Sequence, residues 1–388
     1  MPHFINGIDA LEGIHARLLG RRRIALVTGS ANTDSAARPT HEVVRRLAGN
    51  RLRAVWALQH GFFVDKQDNM VLSPSFHWQR AGVPVRSLYG RSLLPEEKWL
   101  RGIDLLLCDP FDVGTRVYTF LNHLVMVLRH LSGRGVEAVV LDRPNPLNGR
   151  DLEGPLARPG HFSIVAQLPV PMRHGLTAGE FLSYAISHHG LDVPLTVVKA
   201  RGWRREDYFP GNWTLPSPNM PSFATALVYP GAVLLEGTNL SEGRGTTRPF
   251  ELAGAPFVDP FRLAAELARL RLPGARFVPM YFKPEFSKHA GRVCGGVLAQ
   301  VTDRDRFRSF AVYYELIRAV ARLYPGRFAW KKPPYEFERR RPPIDMICGT
   351  DRIRRSIEMD IPYARLRAGI ERGHAAYSEA VQPFRLYP

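Results

Sequence analysis

Residues 102–144, GIDLLLCDPFDVGTRVYTFLNHLVMVLRHLSGRGVEAVVLDRP, decide the fold. They open on a short apolar run, Gly102–Asp109, and close on a second, Val136–Pro144. Continuous apolar runs of this length, rich in Leu, Val and Ile, suit strands buried on both faces of a parallel sheet. Between them Tyr118, Leu121, Val125, Leu128 and Leu131 recur at helical spacing, and Gly133 supplies a stop. Strand, helix, strand in that order is a right-handed βαβ unit, and so an open α/β sheet.

Working outward, RRIALVTGS (22–30), RAVWALQH (53–60) and LTVVKARGW (195–203) read as further strands. Thr177 and Glu180 form a capping box that opens a helix ending near Gly190, so Glu180 reads as structural. Four prolines in PGNWTLPSPNMPS (210–222) break regular structure and mark a boundary. Beyond it, PFRLAAELARLRLPG and FAVYYELIRAVARLYPG read as helices and CGGVLAQVTD as a strand. We expect a Rossmann-like N-terminal domain over residues 1–215 and a smaller α/β domain over 216–388.

Composition bounds the function. The chain has 388 residues, 45% hydrophobic and 23% charged, with a formal net charge of +17. That charge raises a nucleic-acid partner, but of 53 cations 7 are Lys and 46 Arg, spread in short runs without a recognition motif. No nucleic acid is expected. No apolar run approaches a membrane span, and the N-terminus lacks the pattern of a signal peptide. Three distant cysteines give neither zinc spacing nor a disulfide framework. A cytoplasmic location is expected, with no membrane association.

Each strand of the first half ends in polar residues: Thr28 and Ser30, Gln59 and His60, Asp109 and Asp112, then Asp142, Arg143 and Asn145. In open α/β sheets the ligand crevice lies at these carboxyl ends. Asp112 and Arg116 stand four apart at a helix start, which suits either a cap with an ion pair or a site. Asp142, Arg143 and Asn145 lie on a loop stiffened by Pro144 and Pro146, suited to a polyhydroxylated ligand or to a structured turn. The densest candidate is LLEGTNLSEGRGTTRPFE (234–251), with Glu236, Asn239, Glu242, Arg244, Thr246 and Thr247 among glycines that permit close approach of a ligand. No dinucleotide or P-loop fingerprint follows the first strand, so no cofactor is expected. His60, His174 and His289 are isolated, so no metal is expected either. Paired carboxylates without metal or cofactor motifs are what glycoside hydrolysis needs.

The motifs QHGFF…QDNM (59–70), GVPVRSLYG (82–90), DVGTRVYTF (112–120), VVLDRPNPLNGRDLEGP (139–155), PVPMRHGLTAGE (169–180), PSPNMPSFATALVYPG (216–231) and LEGTNLSEGRGTTRPFELAGAPF (235–257) occur in this order. FSKHAGRVCGGV (286–297) and IDMICGTDRIRRSIE (344–358) complete the series. With them the chain resembles, over nearly its whole length, the exo-β-N-acetylmuramidases of peptidoglycan recycling. The resemblance implies a site in the cleft between the two domains and release of N-acetylmuramic acid from the non-reducing ends of cell-wall fragments. The lactyl carboxylate of that sugar suits Arg116, Arg143 or Arg244. Two positions depart from the family pattern: Gln59 replaces the usual Glu of Glu-His-Gly, and Phe111 replaces Gln. On motif position and resemblance, Glu242 and Asp112 are the expected carboxyl pair, with Glu236 in reserve and His60 beside them. Gln59, Asn145, Asn219 and Arg244 are expected to hold the sugar, with Arg116, Asp142, Arg143, Asn239 and Thr246 as further contacts. The alternative, motivated by Gln59, is a catalytically silent sugar-binding or regulatory protein of the same fold.

Overall fold

The structure is a computed structural model that describes residues 4–79, 82–209, 211 and 213–388. Two positions of the proline-rich stretch read above as a boundary, 210 and 212, lie outside the described residues.

The first half builds a seven-stranded sheet from β1 (Ile24–Val27), β2 (Leu52–Ala57), β3 (Phe76–Trp78), β4 (Val83–Ser87), β5 (Leu105–Cys108), β6 (Glu137–Leu141) and β7 (Leu195–Val198). The spatial order is β3-β4-β2-β1-β5-β6-β7, and all neighbours are parallel except β3 against β4. Counting the parallel strands alone gives 3-2-1-4-5-6, the dinucleotide-fold order, with its switch point between β1 and β5. The sheet is held by burial: every residue of β1 and β5 is inaccessible or nearly so. The helix expected between β5 and β6 spans Thr119–Leu131, and Tyr118, Leu121, Val125, Leu128 and Leu131 are all buried in the main core. Each such aliphatic side chain contributes roughly 1.5–3 kcal/mol.

The capping box forms as read: Thr177 Oγ1 accepts from the Glu180 amide and Glu180 Oε2 from the Thr177 amide. Of the two readings left open for Asp112 and Arg116, the ion pair does not form. The helix starts three residues past Arg116, so the i,i+4 geometry is absent. Asp112 accepts from the Gly114 amide at 2.7 Å. Arg116 instead donates to the carbonyls of Pro155, Val170 and Ile347 at 2.7–2.9 Å. The edge strand β3 and its neighbour β4 were not expected, because runs of three and five residues, the second with a proline, give little strand signal.

The second half carries an antiparallel sheet, β8 (Leu252–Ala255), β9 (Ala275–Phe282) and β10 (Cys294–Val301), in the order β8-β10-β9. Helix Pro260–Arg269 packs against it, Ser309–Leu323 packs against that helix, and a long helix Tyr363–Val381 closes the chain. The halves are tied by buried polar contacts. Arg116 reaches the Ile347 carbonyl, and Glu153 bridges Arg173 and the Phe310 amide at 3.0 and 2.9 Å. Among the described residues, no helix is long and apolar enough to cross a membrane.

Candidate active site

The switch point between β1 and β5, where this strand order places a dinucleotide, is filled by the chain itself. Asp109 at the end of β5 takes a two-pronged bond from Arg143, at 2.6 and 2.8 Å, and a bond from the Thr40 hydroxyl. Only about 10 Å³ remains open there, lined by Thr28, Gly29, Asn32 and Asp109 among others. Arg143 is thereby committed to structure.

The polar pocket lies one strand over, at the end of β2. Gln59, His60, Thr119 and Asn219 line it together with Tyr229, Glu236, Arg244, Phe250, Tyr335 and Glu336. Water-sized molecules can occupy about 30 Å³ of it, roughly one water.

Its two carboxylates are differently held. Glu236 Oε1 meets Arg244 Nη2 at 2.7 Å, and its Oε2 accepts from the Tyr335 hydroxyl at 2.7 Å. Glu336 Oε1 accepts from Gln59 Nε2 at 3.0 Å, and Oε2 accepts from the Tyr89 hydroxyl at 2.6 Å. Burial pushes the Glu336 carboxyl up, the Tyr89 and Gln59 bonds oppose this, and the nearby Glu236 charge adds to the rise, to about 7. The Gln59 amide is oriented by the Thr119 hydroxyl, which donates to its Oε1.

His60 bonds the Lys66 carbonyl through Nδ1 at 2.7 Å, which leaves Nε2 as an acceptor. Burial lowers its pKa to about 4 despite that bond, so the ring is neutral near pH 7. Three non-glycine residues of the wall, His60, Phe250 and Glu336, have φ of 70°, 64° and 44°. Left-handed backbone of this kind costs energy and concentrates at functional sites.

Of the residues expected from sequence, Gln59, His60, Asn219, Glu236 and Arg244 line this pocket. Glu242 lies behind it, 2.8 Å from Lys288 Nζ and 3.3 Å from Arg244 Nη1. Burial pushes Glu242 up, but Lys288 and Arg244 outweigh it and bring its pKa down to about 2. Asp112 sits 3.4 Å from His174 Nε2, outside the lining, so Glu242 and Asp112 do not meet across the pocket. Asp142 accepts from the Gly179 amide at 2.9 Å and the Tyr387 hydroxyl at 2.6 Å. Asn145 bonds the Leu176 carbonyl and the Leu147 amide. Asn239 ties to Arg327 and Ala329, and the Thr246 hydroxyl closes a turn on the Gly243 carbonyl. Arg116 is wholly buried among carbonyls, and burial lowers its pKa to about 10.

The glycines of 234–251 also serve the chain rather than a ligand. A Cβ on Gly237 would lie 2.7 Å from Ile344, and one on Gly245, at φ 81°, 2.6 Å from the Phe286 carbonyl. The sequence reading missed Tyr89, Thr119, Tyr229, Tyr335 and Glu336. The nearest signal for Glu336 was the double proline at 333–334, which precedes Tyr335 and Glu336 in a mostly basic run.

Among the described residues, no group of three or more His, Cys, Asp or Glu is placed to hold a metal ion.

Fold and pocket together define a two-domain α/β protein, Rossmann-like in strand order, with an acidic pocket between its parts instead of a dinucleotide crevice. The chain belongs to the NamZ family: residues 24–224 match the model for the N-terminal part of exo-β-N-acetylmuramidase NamZ, and 227–387 match that for the C-terminal part. It is 35% identical to the peptidoglycan β-N-acetylmuramidase NamZ of Bacillus subtilis (strain 168), over all of this chain and 92% of that protein. A DUF1343 family protein of Bacteroides fragilis NCTC 9343 superposes with a TM-score of 0.89 at 27% identity, both chains fully covered. A second from the same organism, at 24% identity and TM-score 0.76 with 99% of each chain covered, shares the fold.

Proposed function

We propose that this chain is a glycoside hydrolase that releases N-acetylmuramic acid, or a related amino sugar, from the non-reducing end of peptidoglycan fragments. Membership of the NamZ family supports the class of reaction. The observation that carries the assignment to this pocket is its pair of buried carboxylates, Glu236 and Glu336, both lining the cavity between the two halves. One is held by a guanidinium and a phenol, the other by an amide and a phenol. Hydrolysis of a glycosidic bond needs one carboxyl to protonate the leaving oxygen and a second group to meet the positive charge at C1. Arg244, already on Glu236, also suits the lactyl carboxylate of muramic acid. Asn219 and the neutral His60 offer further hydrogen bonds to sugar hydroxyls.

Purified protein incubated with a chromogenic N-acetylmuramic acid glycoside and with muropeptide disaccharides tests this reading. Release of free N-acetylmuramic acid is expected. Well-folded protein that turns over no muramyl glycoside would contradict it.

A second reading, a silent sugar binder, rests on Gln59, whose amide neither donates nor accepts an acid proton near neutral pH. It predicts calorimetric binding of the sugar without hydrolysis, and activity gained in Gln59→Glu.

A further inference from the structure

We propose that Glu336 is the general acid of this chain, and that Gln59 is its positioning residue instead of a lost catalytic one. The inference rests on the glycosidase reading and names the group that protonates the leaving oxygen.

The geometry carries it. Gln59 stands at the end of β2, and its Nε2 points at Glu336 Oε1, 3.0 Å away. The Tyr89 hydroxyl, on the other Glu336 oxygen at 2.6 Å, receives the Met70 amide at 3.0 Å and Gln59 Nε2 at 3.2 Å. A carboxyl has about four lone-pair positions; two are taken here, leaving room for an acid proton. The charged and titratable groups facing Glu336 are Glu236 and Arg244, with the phenols of Tyr89, Tyr229 and Tyr335. Arg244 is itself occupied by Glu236 and Glu242, so no cation is paired directly with Glu336 among the described residues. Burial without a cation, beside a second carboxylate, keeps the proton on, with a pKa of about 7. The left-handed backbone at Glu336 and Phe337, φ 44° and 67°, turns the side chain into the cavity wall. An amide at position 59 donates to Glu336 without competing for its proton, which a carboxylate there would do.

In the step, the Glu336 proton moves to the glycosidic oxygen as the C1–O bond breaks, and the bonding pair leaves with that oxygen. Water adds at C1, and the proton it releases returns the carboxyl pair to its starting state. One bond is cleaved by one water.

Two measurements test this. First, wild type and Glu336→Gln are compared on a muramyl disaccharide, whose leaving group needs an acid, and on a 4-nitrophenyl muramyl glycoside, whose leaving group barely does. Glu336→Gln is expected to lose roughly a hundredfold or more in kcat on the disaccharide and far less on the nitrophenyl glycoside. Equal losses on both, or none on the disaccharide, overturn the inference while leaving the glycosidase reading intact. Wild type inactive on both substrates removes that reading, and the inference with it. Second, infrared difference spectra follow the protonated-carboxyl carbonyl band. A band present at pH 6, fading as pH rises past about 7 and missing from Glu336→Gln supports the proposal. Its absence from wild type overturns it whatever the activity.

Discussion

Gln59 Nε2 donates to Glu336 Oε1 at 3.0 Å, across 277 positions of sequence and across the cleft between the two halves. This bond joins the end of β2 to the segment after Pro334, so the state of one residue is read by the other. With Glu336 near 7, activity that needs its acid form falls as pH rises through about 7. Gln59→Glu puts two carboxyls within hydrogen-bonding distance, and they share a proton. The alkaline limb of the pH–rate profile is therefore expected to move upward in Gln59→Glu, measured as kcat/KM from pH 5 to 9. An unmoved limb would show that Glu336 does not set it.

The same shift has a stability consequence. A carboxyl whose folded pKa is raised binds its proton more tightly in the native state. The contribution is full below the ordinary value of 4.5 and is lost as pH rises through about 7. Wild type is expected to lose more stability between pH 5 and 8 than Glu336→Gln does, read from urea midpoints. Parallel pH curves for the two proteins would contradict this.

Glu242 behaves in the opposite sense. Its lowered pKa stabilises the fold above about 4.5, and that contribution is lost as pH falls toward 2. Glu242→Gln leaves Lys288, among the described residues, with only the Leu235 and Leu240 carbonyls and no paired counter-charge, and weakens the hold on Arg244, which is expected to cost roughly 3–5 kcal/mol. The folded variant should keep more of its kcat than Glu336→Gln keeps, because Glu242 is outside the pocket lining. A variant as stable as wild type but inactive would return Glu242 to the chemistry.

Tyr335→Phe removes the hydroxyl that donates to Glu236 Oε2. A bond to a charged group contributes about 1.5–3 kcal/mol, so kcat/KM is expected to fall roughly tenfold to a hundredfold. Circular dichroism should be unchanged. Undiminished turnover would place Glu236 outside the reacting pair.

Arg116→Met removes the donor to the Pro155 and Ile347 carbonyls, and the Val170 carbonyl keeps only the Ala157 amide. Each buried unpaired acceptor costs about 1–3 kcal/mol. The variant is expected to unfold at lower urea, with KM for the sugar unchanged in the folded fraction. A raised KM at unchanged stability would return Arg116 to the sugar.

The sheet was legible because β1, β2, β5 and β6 are largely buried apolar runs and β7, at the edge, is still an apolar run, and the helix between β5 and β6 repeats its apolar residues at full contrast. The end of β2 was legible too, since Gln59 and His60 break an apolar run where such folds bind ligands. Glu336 was not. It follows two prolines in a basic loop without periodicity, and only the chain's return across the cleft brings it to Gln59. Glu242 and Arg116 drew attention as charges in motif blocks. Burial turned both into internal ties, one to Lys288 and the other to three carbonyls. Nothing in local spacing separates a charge that faces a ligand from one that faces its own chain.

A crystal structure with N-acetylmuramic acid bound tests the central claim most directly. The sugar is expected in the Gln59–Glu236–Glu336 pocket, its C1 oxygen within hydrogen-bonding distance of Glu336 and its C1 facing Glu236. A sugar bound beside Asp112 or elsewhere, with Glu336 still closed on Gln59 and Tyr89, would contradict it.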